Sequence, residues 1–125
     1  MSYIKKFWRE LKKLIGSDPE FYLLKIDESL KYGFSIVEGE FPAVLDKETL
    51  YVLTEDGIPW EAVLTCPCGC GTRLQMNLLP DEHPRWQYNV RNGLPSLFPS
   101  VNRKIECKSH FILRHGRIIW AVSHY

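Results

Sequence analysis

No stretch of this 125-residue chain is apolar for long enough to cross a membrane. Its uninterrupted apolar runs last only a few residues, against the roughly 20 that a spanning helix needs. The N-terminus likewise lacks the apolar stretch of ~7–15 residues that marks a secretory leader, because Lys5, Lys6, Arg9, Glu10, Lys12 and Lys13 interrupt it. Net charge is almost absent: 16 basic against 15 acidic residues leave +1. That balance excludes holding a nucleic acid through bulk charge, although a local basic patch stays open. No repeat or low-complexity tract is visible. These absences give the expectation of a cytoplasmic protein with no transmembrane segment. In a reducing compartment its four cysteines are metal ligands or redox groups in preference to disulfides.

The apolar content of 45% and charged content of 25% are those of a folded protein, and the length suits one compact domain. Ile4, Phe7, Trp8, Leu11, Leu14 and Ile15 recur at intervals of three and four, which predicts an amphipathic helix ended by Gly16. Its opposite face is basic. Docking on the domain with that face in solvent is preferred to contact with a partner or a membrane surface. After Ser17-Asp18-Pro19 the pattern changes to short aromatic and aliphatic segments separated by Gly, Pro, Asn and Asp, which are strand signals. Eight strands are predicted, over 21–26, 34–37, 50–53, 60–65, 73–78, 86–90, 110–114 and 117–122. Asp56-Gly57, Asn92-Gly93 and His115-Gly116 mark turns. The expected fold is mainly β, a small antiparallel sheet or barrel-like domain stapled by metal, with the N-terminal helix making it α+β overall. Residues 1–40 form an extension and 41–125 the metal-binding β domain, with a linker near 38–43.

Thr65-Cys66-Pro67-Cys68-Gly69-Cys70-Gly71 places three thiols within five residues, and Cys107 follows at a distance. On a straight strand Cys66 and Cys70 would stand about 13 Å apart, at ~3.3 Å per residue. Zinc holds its sulfurs at about 2.3 Å, so the segment must curl around the ion. Pro67, Gly69 and Gly71 suit such a curl. Zn²⁺ bound by Cys66, Cys68, Cys70 and Cys107 is therefore preferred to buried inert thiols. It is also preferred to a redox pair, since C-x-C-x-C is not the C-x-x-C of thioredoxin-like sites. His110, three residues after Cys107, is an alternative ligand.

These residues carry a resemblance. Cys66-Pro67-Cys68-Gly69-Cys70-Gly71, Asn77-Leu78-Leu79-Pro80 with Pro84-x-Trp86, Leu97-x-Pro99-Ser100-Val101, Cys107-x-Ser109-His110-Phe111 and Gly116-Arg117-Ile118-x-Trp120 occur in this order. Leu50-Tyr51-Val52 and Trp60 precede them. Over roughly residues 42–121 the chain resembles the bacterial family of domains of unknown function numbered 6527. The resemblance implies companions that are ubiquitin-like proteins with E1-like and E2-like enzymes, encoded in the same operons. It implies a peptidase that processes the ubiquitin-like tail. His83 and His115 depart from the family pattern and inherit no role, and the first 40 residues have no counterpart.

Four thiolates close a zinc tetrahedron and leave no position for water, so chemistry must come from other groups. Ser100, Ser109 and His110 are the candidates, since a serine hydroxyl needs a neighbouring base. Adjacent residues on a strand face opposite ways, which favours Ser100 over Ser109 as the partner of His110. Asp81, Glu82 and Glu106 are candidates to orient the imidazole, with none preferred. Two other readings stand beside the serine hydrolase. One is a zinc metallopeptidase with an open site. The other is a non-catalytic module that binds a ubiquitin-like or E1/E2-like partner, with aromatics such as Trp60, Trp86, Tyr88, Phe98 and Trp120 near a sheet edge that accepts an extended tail.

Overall fold

The computed structural model describes residues 22–103 and 106–123. Nine strands make two sheets. They are β1 (Tyr22–Asp27), β2 (Gly33–Glu38), β3 (Thr49–Glu55), β4 (Ile58–Thr65), β5 (Arg73–Asn77), β6 (Gln87–Arg91), β7 (Leu94–Asn102), β8 (His110–Arg114) and β9 (Arg117–Ser123). The larger sheet runs β1-β9-β8-β7-β6 and the smaller β2-β3-β4-β5. All pairings are antiparallel except β2 with β3, whose long connection carries the chain back so that both strands run the same way.

The α+β expectation is overturned. Every regular element among the described residues is a strand, and the expected helix over residues 4–15 lies outside them. The single small sheet also becomes two sheets. Their inner faces alternate along the chain, with Leu50 and Val52, Ala62 and Leu64, Leu74 and Met76, Phe111 and Leu113 all buried in one core. Two apolar faces of this kind bury each other, which a lone sheet cannot do. Phe111 meets Trp120 across β8 and β9 edge-on, with ring centroids 5.8 Å apart.

β7 is a ninth strand where the sequence suggests none. Pro95 and Pro99 argue against a strand there because proline offers no N–H to a ladder. Yet β7 lies between β6 and β8. Its register with β8 shifts between Leu97 and Val101, so Pro99 falls in the irregular stretch.

Three of the connections have left-handed backbone at both central residues: Asp56-Gly57, Asn92-Gly93 and His115-Gly116, with φ between 48° and 77°. Two such residues match the twist of the strands they join. Gly116 is doubly constrained, since a Cβ there would stand 2.9 Å from the Tyr32 carbonyl oxygen. Among the described residues no helix is long and apolar enough to cross a membrane.

Candidate functional site

The strand pair β7–β8 and the loop joining it carry most of the candidate residues. Asn102 pairs with His110 at the end of the pair, and the Arg103 N–H donates to the Ser109 carbonyl at 2.7 Å, closing the loop. Ser100 lies on β7 within the register irregularity, and His110 opens β8. His110 Nε2 is 3.0 Å from Ser100 Oγ. Ten residues separate the two in sequence, and the hairpin brings them into hydrogen-bond contact. Burial holds the half-buried His110 imidazole below its ordinary pKa, so it is neutral at pH 7 and one ring nitrogen can accept a proton. The Trp86 indole N–H donates to the Ser100 main-chain carbonyl at 3.4 Å.

The cysteines form the second cluster. After β4 the chain turns at 67–70 and returns at Thr72, whose carbonyl accepts from the Cys66 N–H at 2.8 Å. Gly69 and Gly71 take φ of 92° and 80°, the left-handed region that a Cβ disfavours. The curl gathers Cys66, Cys68 and Cys70 with Cys107, all four sulfurs lying within 4.8 Å of one another. Cys66 Sγ is 3.4 Å from Cys68 Sγ and 3.7 Å from Cys107 Sγ. A tetrahedral ion with metal–sulfur bonds of about 2.3 Å spaces its sulfurs by about 3.8 Å, so the four thiols fit a metal ion closely.

Their electrostatics are mixed: burial pushes the Cys68 thiol up to about 11, while two of the others are drawn toward the thiolate. The Thr72 hydroxyl and N–H bring the Cys70 thiol down to about 6, and the Ser109 hydroxyl lowers that of Cys107. Arg103 Nη1 donates to Cys107 Sγ at 3.1 Å and to Cys70 Sγ at 3.4 Å, while its Nη2 pairs with Glu106. Groups that favour the charged thiolate are those a bound cation requires.

The sequence candidates thus fall into two groups. Ser100 and His110 stand together. Ser109 stands with the sulfurs, buried, its Oγ 3.1 Å from Cys107 Sγ and 3.9 Å from Cys66 Sγ. Glu106 pairs with Arg103, and Asp81 and Glu82 are exposed beyond β5. The sequence pattern passed over Arg103, and offered Trp86 only as one of several aromatics for a partner, not as a contact of Ser100. A cation four residues before Cys107 is a faint signal for the first. Nothing in the spacing of Trp86 and Ser100 signals the second, because their contact is made across β6 and β7.

The model of a family described as bacterial ubiquitination-like system serine protease (BubE) matches residues 37–121, well over half of the chain. The match carries the association with ubiquitin-like operons that the motif series implies, under the description of a serine protease rather than the number of an uncharacterised domain. No curated protein and no solved structure matches the chain.

Proposed function

We propose, from the premise that this chain belongs to the bacterial ubiquitination-like system serine protease family, that Ser100 is the nucleophile and His110 its base. The substrate on this reading is a ubiquitin-like protein, cut after its C-terminal segment to mature it or to release it from a conjugate. E1-like and E2-like enzymes are the other partners. The 3.0 Å contact between His110 Nε2 and Ser100 Oγ carries the proposal, since a hydroxyl becomes nucleophilic only with a base in reach. Ser100 Oγ attacks the scissile carbonyl carbon as its proton passes to His110 Nε2. His110 then gives that proton to the departing amine, leaving an acyl group on Ser100. A water molecule, deprotonated by the same imidazole, releases the acid and restores the serine.

The four cysteines would hold one zinc ion, which supplies a cross-link between the curl at 66–70 and the loop that joins β7 to β8. With every ligand a thiolate the site is closed, and its work is structural. Ser109 and Arg103 act there by hydrogen-bonding sulfur. The zinc metallopeptidase reading has less support, because His110 contacts Ser100 and the cysteines complete a set of four without it.

Mass spectrometry of a ubiquitin-like precursor encoded beside this protein tests the proposal. Incubation with wild type yields the processed tail. Ser100→Ala and His110→Ala lower the yield by orders of magnitude while retaining zinc, and the double change costs little more because the two groups act as a unit. Full activity in Ser100→Ala with zinc intact would falsify the serine mechanism.

A further inference from the structure

The end of the molecule beyond Trp86 holds a cavity of about 390 Å³. Its apolar walls are Ile58 and Pro59 at the start of β4, Leu78 and Pro80 beyond β5, Trp86 just before β6 and Tyr88 on it. Resting on the assignment of Ser100 as nucleophile, we propose that this cavity receives a large apolar side chain of the substrate's extended tail and so sets specificity.

Continuity with the reactive serine is the first argument. Trp86 is a wall of the cavity, and the same indole donates to the Ser100 carbonyl. The indole thus touches both the cavity and the main chain of the residue that attacks. The second argument is exposure: Ile58, in the lining, is 56% exposed, and Trp60, outside the lining and two residues further along β4, is 42% exposed. Large apolar side chains left in water at the rim of a cavity gain when a partner covers them.

The third argument is the sheet edge. β6 ends the larger sheet, and Gln87, Asn89, Val90 and Arg91 on it are exposed. An unpaired edge accepts an extended chain through main-chain hydrogen bonds, while an adjoining pocket selects side chains. A peptide rather than a compact ligand is the occupant that uses both the edge and the pocket. Arg85 is the charged group in the lining, and its Nε donates to the Leu78 carbonyl at 3.2 Å. Burying an acidic side chain among these walls carries the cost of desolvating its charge.

The test uses the full chain carrying Ser100→Ala, so that binding is read without cleavage. Hexapeptides Ala-Ser-X-Ala-Ser-Ala, with X as Leu, Phe, Ser or Asp, are titrated while the indole N–H resonances are followed by NMR. The Leu and Phe peptides bind at least tenfold more tightly than the Ser and Asp peptides and shift the Trp86 resonance. Adding Ile58→Asp, or the milder Ile58→Ser, removes that preference. Equal binding of all four peptides, tighter binding of the Asp peptide, or a preference untouched by both Ile58 changes overturns the pocket. Labelling of wild-type Ser100 by a fluorophosphonate reports on the nucleophile separately. Preference without labelling keeps the pocket and removes Ser100 as nucleophile, and labelling without preference does the reverse.

Discussion

At the scale of single residues, the proposed base His110 is where electrostatics and chemistry would meet. Burial disfavours the imidazolium, so the folded protein binds that proton less readily than the unfolded chain does. Two expectations follow from the sign. The base form persists below the ordinary histidine pKa of 6.5. The acid limb of kcat/KM, measured on a tail peptide, therefore has its midpoint below 6.5, and a midpoint at or above 6.5 contradicts the assignment. In stability the contribution is intact above 6.5 and declines as pH falls below it, since the unfolded state takes up the proton first. Denaturant midpoints across that range follow it, and His110→Gln flattens their dependence on pH. Ser109 belongs to the other cluster. Ser109→Ala removes a hydroxyl from beside Cys66 and Cys107, so it loosens metal affinity, read by competition with a chromogenic chelator, more than it changes the acid limb.

At the scale of elements, the β7–β8 pair and its loop couple the two clusters. Ser100 and His110 sit on the paired strands, and Cys107 is anchored to the curl after β4. Cys107→Ser accordingly lowers the melting temperature by several degrees or more, because it unfastens a long-range link and leaves thiolates poorly compensated. It also slows cleavage, although Cys107 touches no substrate. A melting temperature equal to that of wild type would remove Cys107 from the ligand set. The β8–β9 turn sets a different demand. Gly116 has φ of 77° and no room for a Cβ under the Tyr32 carbonyl, so Gly116→Ala costs about 1–3 kcal/mol in urea unfolding. At Gly57 a Cβ meets open space, and Gly57→Ala carries the backbone cost alone. A larger loss at Gly57 than at Gly116 would contradict this account.

At the scale of the whole molecule, the proposed zinc site ties metal and fold into one equilibrium. If four thiolates bind zinc, elemental analysis of the purified protein gives one ion per chain. A strong chelator then lowers the melting temperature and abolishes cleavage together, since ligand binding energy is also folding energy. Metal-free protein with two disulfides and an unchanged melting temperature would end that reading.

Much of this was legible along the chain because it is local. Three of the four thiols stand within five residues and need a curl, and Pro67, Gly69 and Gly71 supply it. Asp56-Gly57, Asn92-Gly93 and His115-Gly116 announce their turns, and short aromatic and aliphatic segments between turn residues announce most strands. Three matters were settled only by the tertiary structure. Pro95 and Pro99 hide β7, because whether a strand tolerates a missing N–H depends on its register with neighbours. The division into two sheets depends on which apolar faces meet, and alternation along one strand does not encode its partner. The seating of Ser109 beside sulfur, of Ser100 against His110 and of Trp86 on the Ser100 carbonyl is fixed by contacts between strands. Sequence thus determined which groups are able to bear chemistry, since side-chain type is local. Structure decided which of them stand together, since reach across a sheet depends on pairing and register.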